Sequence, residues 1–270
     1  MPRVTWLLAA LVLSAGLARA ETVLRVVPQS DLRVLDPHAT LATITRIHGL
    51  MIYDTLYAMD EALQPRPQMV AGSRVSDDKL TYEFTLRPNL AFDNGQKVTT
   101  ADVLASIPRA AKQDPLMQLM MKRVAALEAV DASTFRIRLS RPFPFVEAAL
   151  AANNAMILRA EDIAAAGLGV LSTTTGSGPF RFVRGDYVPG AKIVYDRNPY
   201  YVPRDEPANG LAGGKRVFVD RVEWIVIPDL QTRIGALLKG EVDLLDQLPH
   251  DGIQSLRGNK DIEVAVGTKL

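Results

Sequence analysis

Residues 80–98 read LTYEFTLRPNLAFDNGQKV and carry the clearest structural signal in the chain. Polar side chains alternate there with four apolar ones, Leu80, Tyr82, Phe84 and Leu86. This alternation predicts a strand over residues 79–87 with one buried face and one face in water. Asn94-Gly95 then predicts a tight turn, because glycine adopts a positive φ without strain.

A helix and a second strand are expected after this turn. Thr99, with Asp102 three residues later, resembles a capping box and predicts a helix that starts at Thr100 and is cut near Pro108. Residues 134–140 alternate apolar and basic side chains, which predicts the second strand. Residues 116–128 have apolar residues at helical spacing, and their methionine cluster is typical of core filling.

Further elements are expected on both sides of this region. Residues 24–27 form a short apolar run that predicts a buried first strand, and residues 222–227 are apolar on both faces, which predicts a central strand. The remaining expected elements are helices at 42–58, 145–152 and 229–239, a loop at 171–178, and strands at 180–182, 193–195, 242–245 and 262–266.

The composition excludes several classes of protein. The 270 residues contain no cysteine, so disulfide scaffolds, zinc fingers, thiol nucleophiles and iron–sulfur ligation are excluded. The formal charge of +1 argues against a dedicated nucleic-acid binder, which usually has a strong basic excess. A hydrophobic fraction of 48% with 23% charged residues is typical of a soluble globular protein.

Residues 1–20 have the pattern of a secretory signal peptide. Arg3 precedes an almost wholly apolar run over residues 4–17, and Ala18-Arg19-Ala20 matches an A-x-A cleavage site. The run is shorter than the roughly 20 residues that a membrane span needs. We therefore expect cleavage after Ala20. Because no lipid-anchoring cysteine follows, we expect a soluble protein in the periplasm.

No catalytic signature is found. The three histidines, His38, His48 and His250, form no HExxH pattern, and Gly176-Ser177-Gly178 lacks the arrangement of a nucleophile elbow because Thr175 precedes it. The Gly-Lys-Ser/Thr of a phosphate-binding loop is also missing. We predict no catalytic residue, no metal and no cofactor. A secreted hydrolase remains an alternative, because the sequence cannot place two carboxylates at a catalytic separation.

Several segments, taken in order, resemble the family 5 extracellular solute-binding proteins of ABC importers, the dipeptide, oligopeptide and nickel type. The resemblance covers roughly residues 24–250, and so many segments in a fixed order are highly specific. These segments are Leu35-Asp36-Pro37, Tyr53-Asp54-Thr55-Leu56, LTYEFTLRP at 80–88, FDNGQKV at 92–98, Thr100-Ala101-Asp102-Val103 with Ser106, Gly176-Ser177-Gly178-Pro179-Phe180, Arg197-Asn198-Pro199-Tyr200-Tyr201, Asp220-Arg221-Val222-Glu223 and LLKGEVD at 237–243.

The resemblance implies an α/β protein with the type II fold of periplasmic binding proteins. Residues 21–46 and 171–263 would form lobe one around a mixed sheet, and residues 47–170 an inserted α+β subdomain. Residues 264–270 would start the crossing to lobe two. Members of the family are about twice this length, so the second lobe would be missing from this chain.

The resemblance also implies a function. The protein would bind a peptide or similar small polar solute and deliver it to an ABC permease complex in the inner membrane. It would act as a monomer, without nucleic acid and without catalysis. A second interpretation stays open, in which the chain is a fragment that binds nothing with useful affinity. One lobe would bury about half of a ligand's surface, whereas ordinary pockets bury about 70–90% of that surface.

Gln29, Ser30, Asp31 and Leu32 are the candidate ligand-binding residues. They directly follow the predicted first strand, and ligands of open α/β sheets bind at the carboxyl ends of strands. Their backbone N–H and C=O groups could pair with a peptide main chain, and Asp31 could meet an amino terminus. A solvated turn is the alternative interpretation.

Overall fold

The computed structural model describes residues 21–265, so the predicted signal peptide lies outside the described residues. Within residues 21–265, no helix is both long and apolar enough to cross a membrane. The strands are β1 (Val23–Val27), β2 (Tyr57–Met59), β3 (Pro65–Pro67), β4 (Val70–Val75), β5 (Thr81–Leu86), β6 (Val124–Ala129), β7 (Thr134–Leu139), β8 (Phe180–Phe182), β9 (Lys192–Arg197), β10 (Arg221–Ile225) and β11 (Leu244–Leu245). The helices are α1 (Thr43–Ile52), α2 (Thr100–Ala110), α3 (Pro115–Met121), α4 (Val146–Leu150), α5 (Ala160–Ala166), α6 (Leu230–Leu238) and α7 (His250–Leu256).

A five-stranded mixed sheet forms around the first strand, in the order β11-β1-β10-β9-β8. β1 runs parallel to both of its neighbours, whereas β9 is antiparallel to β10 and to β8. The register places Leu24 beside Val222 and Val26 beside Trp224. The predicted first strand is therefore confirmed, and so is the central position of the strand near residue 222, next to β1.

A separate four-stranded antiparallel sheet has the order β4-β5-β7-β6. Its two inner strands are the two that the sequence predicts from alternating side chains. Phe84 and Phe135 pair across them, and their rings stack with centroids 5.1 Å apart. Met117 and Met120 of α3 are fully buried in the core beside this sheet, as expected for methionines that fill a core.

Most buried apolar residues of the described chain belong to two main hydrophobic clusters. One contains buried residues between Leu56 and Ile157 and includes the inward face of the four-stranded sheet. The other lies between the five-stranded sheet and α1 and includes Tyr195 and Trp224. The lobe boundaries at 46/47 and 170/171 stay a prediction.

The capping box at the start of α2 is confirmed. The backbone N–H of Thr99 donates to Asp102 Oδ2 at 2.8 Å, and the Thr99 hydroxyl lies 3.0 Å from the same oxygen. The expected end at Pro108 is wrong, because α2 continues to Ala110. Ile107 and Ala110 are buried in the first cluster, and this packing holds the last turn even though Pro108 has no N–H to donate.

Two predicted helices are shorter than expected. The helix expected over residues 116–128 ends at Met121, because the next residues pair with β7 as strand β6 and place Leu127 beside Ile137. The helix expected over residues 42–58 ends at Ile52, and residues 57–59 instead pair with β3. In both cases a partner strand overrides the local helical spacing.

The end of the chain differs from the sequence-based expectation. Residues 262–265 have no regular structure, so the strand predicted over 262–266 is wrong for that part. Residues 266–270 lie outside the described residues. The short helix α7 packs through Gly252 near Leu230 and Ile234 of α6 and was not predicted from the sequence.

Candidate functional site

The four predicted ligand-binding residues form the turn that leaves β1. Because β1, β10 and β11 are parallel, this turn lies at the edge of the sheet where their carboxyl ends meet. Ser30 is exposed, whereas the side chain of Leu32 is fully buried. The carbonyl of Leu32 accepts a hydrogen bond from the Tyr187 hydroxyl at 2.8 Å. Leu32 therefore fixes the turn to the core, and the binding role of the four residues stays a prediction that rests largely on backbone groups.

Asp31 and Gln29 differ in how their polar groups are used. The Asp31 carboxylate accepts from the backbone N–H of Gly190 at 3.2 Å and from Arg33 Nε at 3.4 Å. Arg33 is largely exposed, so the bond to Gly190 is the one that ties this turn to the loop before β9. Gln29 Nε2 is buried and has no hydrogen-bond partner among residues 21–265. A ligand carbonyl is the kind of group that would satisfy it.

A buried ion pair holds the segment that follows the turn. Arg109 of α2 donates to the two carboxylate oxygens of Asp36 at 2.9 and 2.6 Å. The N–H groups of His38 and Leu171 donate to the same carboxylate, each at 2.9 Å. Burial alone would raise the pKa of Asp36, but Arg109 and these N–H groups outweigh it and hold the pKa below its usual range. The candidate turn is therefore anchored just beyond its end.

An apolar groove of about 300 Å³ runs between α1 and one face of the five-stranded sheet. Its single charged lining residue is Asp246, at the carboxyl end of β11. This groove was not predicted from the sequence, although Leu24 and Val26 flank Arg25 just as Val222 and Trp224 flank Glu223. That shared alternation is the signal that could have revealed an apolar face. The lining residues are Leu24, Val26, Pro28, Ile44, Ile47, Met51, Phe180, Val219, Val222, Trp224, Leu244 and Asp246.

The glycine loop before β8 packs tightly against the end of α1. A Cβ on Gly176 would lie 1.7 Å from the carbonyl oxygen of Ile52, and one on Gly178 would lie 2.7 Å from its carbonyl carbon. The Gly178 N–H also donates to Ile52 O at 2.9 Å. Asn198 Nδ2 donates to Gly178 O at 2.9 Å, while Asn198 Oδ1 accepts from the Tyr200 N–H. Asn198 therefore holds the turn that leaves β9 and fixes it to the glycine loop.

A second buried carboxylate, Asp54, gathers three side chains that are distant in sequence. Lys215 Nζ lies 2.8 Å from Asp54 Oδ1, and Asp54 Oδ2 accepts from the Tyr201 hydroxyl at 3.2 Å and from Gln68 Nε2 at 3.3 Å. These bonds fix the long connection between β9 and β10 to the segment after α1. The Asp54 carboxylate is thus fully paired and has a structural role, while Gln68 Oε1 is buried without a hydrogen-bond partner among residues 21–265.

Two of the three histidines are buried. His38 Nε2 donates to the carbonyl of Met156 at 3.1 Å, and His48 Nδ1 lies 2.9 Å from the Tyr195 hydroxyl. Burial lowers the pKa of His48 to about 3, and burial together with the charge of Arg109 lowers the pKa of His38 to about 4. In the part of the chain that the structure describes, no three His, Cys, Asp or Glu side chains come together in a way that could hold a metal ion.

Solved structures that resemble this chain define the class of its fold. The PBP AgaA of A. tumefaciens R10, in complex with agropinic acid, matches with a TM-score of 0.73 at 24% identity, over 87% of this chain and 45% of that one. Listeria monocytogenes OppA bound to peptide matches with a TM-score of 0.70 at 21% identity, over 90% and 49%. The architecture is the type II fold of periplasmic binding proteins, as the sequence predicts.

The chain belongs to the bacterial extracellular solute-binding proteins of family 5, because the family model described as their "Middle" part matches residues 64–270. A Sinorhizobium fredii protein named as a probable peptide ABC transporter periplasmic-binding protein, y4tO, is 42% identical over 87% of this chain and 44% of its own length. The glutathione-binding protein GsiB of Escherichia coli O1:K1 is 27% identical over 97% and 49%. The chain spans about half the length of the curated relatives it matches.

Proposed function

We propose that this protein is the solute-binding component of an ABC importer. It binds a peptide or similar small polar solute in the periplasm and delivers it to a permease complex in the inner membrane. The observation that carries the proposal is the 42% identity to a relative named as a peptide-binding component of an ABC transporter. A second relative is named for glutathione binding, which agrees with a small polar solute.

The turn after β1 supplies the chemistry for binding a peptide main chain. Its backbone lies at the edge where three parallel strands end, and Ser30 is open to solvent. Gln29 contributes a buried amide that lacks an acceptor among the described residues. A peptide carbonyl placed there would supply that acceptor, and each such hydrogen bond contributes about 0.5–1.5 kcal/mol.

Two contacts hold this turn in place before a ligand binds, so it can act as a preformed binding surface. Tyr187 holds one end through Leu32, and the Asp36–Arg109 pair holds the chain just beyond it. A fixed turn loses little conformational freedom when a ligand binds, which strengthens binding for the same contacts. In this proposal the protein works as a monomer, catalyses nothing and needs no cofactor, since recognition and release suffice for delivery.

Thermal unfolding of the purified protein with a series of short peptides tests the proposal. Binding to the folded state alone stabilises it by RT ln(1 + [L]/Kd), about 2.7 kcal/mol at a ligand concentration of 100 Kd. We expect a tripeptide to raise the Tm by several degrees, and glucose to leave it unchanged. The same tripeptide with N-methylated main-chain amides should lose most of the effect. The proposal fails for this chain if no peptide at millimolar concentration shifts the Tm.

A further inference from the structure

We propose that residues 215–219, here named the KRVFV segment, are a docking site for an extended acidic segment of a partner protein. The partner adds to the KRVFV segment as a strand, and it places one carboxylate beside Arg216 and one apolar side chain beside Phe218. This inference goes beyond the proposed function, because it gives the protein a second binding surface that is separate from the solute site.

The KRVFV segment has the side-chain pattern of a strand but no partner strand. It has no regular secondary structure and leads through Asp220 into β10. Arg216 and Phe218 are exposed, whereas the three residues that alternate with them are half-buried. Among residues 21–265, no backbone N–H or C=O group of Val217 or Phe218 makes a hydrogen bond. These groups are therefore free to pair with an added strand, as at a sheet edge that takes up a peptide.

The two neighbouring strands stop where the KRVFV segment begins. On one side, the Asp220 N–H donates to Thr22 O at 2.9 Å, and the predicted mature chain starts one residue earlier, at Glu21. On the other side, the Arg197 N–H donates to Asp220 O at 2.9 Å, and the chain then turns at Asn198. Neither β1 nor β9 therefore continues alongside the KRVFV segment.

A cavity of about 320 Å³ beside the segment has a positive lining. Arg197, Lys215 and Arg216 line it, and no Asp or Glu of the described residues does. Lys215 is paired with Asp54, and Arg197 donates to the carbonyl of Val219. The Arg216 side chain, in contrast, has no ion pair or hydrogen bond in the described part of the chain. Its guanidinium is thus available to a carboxylate of the partner, which arginine can bind with two parallel hydrogen bonds.

Phe218 provides the apolar contact. It is 82% exposed and lines the same cavity, so burial of its ring under a partner favours docking. Arg216 and Phe218 are two residues apart and lie on the same side of the segment. The residues that face them on an added strand are also two apart. The partner segment therefore carries a carboxylate and an apolar side chain at alternate positions.

The KRVFV segment and the solute site lie at opposite edges of the five-stranded sheet. The segment precedes β10, whereas the turn at residues 29–32 follows β1, and the two strands are parallel. The five residues of β10 separate the two edges by about 16 Å. A partner docked at the KRVFV segment therefore leaves the proposed solute site open.

Isothermal titration calorimetry with the peptide TVTETVT, capped at both ends, tests the docking site. The peptide has a valine two residues from the glutamate on each side, so it fits in either strand direction. We expect it to bind at least tenfold more tightly than TVTKTVT or than TVTETVT with N-methylated main-chain amides. Arg216→Glu should reverse the order of TVTETVT and TVTKTVT, and Phe218→Ser should weaken the binding of TVTETVT at least fivefold.

Two matched variants should leave this binding unchanged. Arg257→Glu changes an exposed arginine just after α7, and Phe145→Ser changes a 57% exposed phenylalanine just before α4. Hydrogen exchange then locates the bound peptide. We expect TVTETVT to slow the exchange of the Val217 and Phe218 amides and to leave the amides of residues 29–32 unchanged.

The proposal is overturned if TVTETVT and TVTKTVT bind equally, if neither binds at millimolar concentration, or if exchange slows at residues 29–32 instead. It is also overturned if light scattering shows a dimer that Phe218→Ser dissociates, because a second copy of the chain then occupies the segment. Binding to phosphatidylglycerol vesicles that Arg216→Glu abolishes, with no binding of the peptides, would replace the partner protein by a membrane surface. The proposed function is decided separately, by the shift in Tm with free tripeptides.

Discussion

Arg109 and Asp36 form a buried ion pair with two parallel hydrogen bonds, although they lie 73 residues apart in the chain. The arginine belongs to α2, which packs on the four-stranded sheet, and the aspartate follows the turn that leaves the five-stranded sheet. The side chains of both residues are almost completely buried. The pair therefore ties α2, which packs on one sheet, to the segment that leaves the other sheet.

Breaking this pair should destabilise the protein strongly. Arg109→Met leaves the Asp36 carboxylate buried without its cation, which costs about 3–5 kcal/mol of unfolding free energy. The double variant Asp36→Asn/Arg109→Met should recover part of that loss, because it removes the buried charge. Urea unfolding measures both. As a control, Arg136→Met removes an ion pair with Glu83 on the half-exposed sheet face and should cost less than about 1 kcal/mol. A loss for Arg109→Met as small as this control's would contradict the prediction.

The buried histidines should make the protein sensitive to mild acid. Their folded-state pKa values, about 4 for His38 and about 3 for His48, lie below the ordinary value of 6.5. The unfolded chain therefore binds more protons below pH 6.5, and the unfolding free energy should fall as the pH drops from about 6.5 toward 4. His48→Gln should flatten this dependence in urea unfolding measured across that range, while His250→Gln, at an exposed position, should leave it unchanged. An unfolding free energy that stays constant from pH 7 to 4.5 would refute the predicted sensitivity to acid.

The glycine loop should not tolerate a side chain. In Gly176→Ala the new Cβ would overlap the backbone oxygen of Ile52, which cannot move without disturbing the end of α1. We expect a loss of about 3 kcal/mol, the upper end for overpacking, seen as a lower urea midpoint. Gly185→Ala is the matched control, because nothing lies within 4 Å of its Cβ. Equal midpoints for the two variants would show that the loop can shift away from α1.

The exported protein should begin at Glu21. The reason is the signal-peptide pattern of residues 1–20, which places the cleavage site after Ala20. Mass spectrometry of the protein recovered from the periplasm measures this directly. An Ala18→Leu variant, which spoils the small-residue cleavage site, should slow processing, whereas Ala18→Ser should be cleaved normally. Recovery of the intact amino terminus with the membrane fraction would be evidence against the prediction.

Local signals predicted the parts of the fold that depend on neighbouring residues. The alternation at residues 80–86 identified β5, and Thr99 with Asp102 identified the start of α2, because side-chain period and helix capping act within a few residues. Residues 124–128 lie within the predicted helix 116–128 because their apolar spacing fits either structure. Their pairing with β7 decides in favour of a strand.

The sequence predicts the position of the candidate site but not the long-range contacts around it. The position of Gln29 and Asp31 at the end of β1 follows from a general rule about parallel strands. The Asp36–Arg109 pair, the Asp54 cluster and the groove instead bring together residues that are far apart in the chain. Lys215, for example, reaches Asp54 across 161 residues. One sequence alone carries no signal for such pairings, so they emerge only once the chain is folded.

The position of β1 sets an order for folding. This strand is the first of the described elements, yet both of its neighbours follow it by roughly 200 residues. Thr22 bonds to Asp220 across 198 residues, and the Arg25 N–H bonds to Asp243 across 218. In a chain synthesised from its amino terminus, β1 must therefore stay without these two neighbours until residues 221–245 have followed. The contacts between residues 56 and 157 can form in that interval, so closure of the five-stranded sheet is the late and slow step.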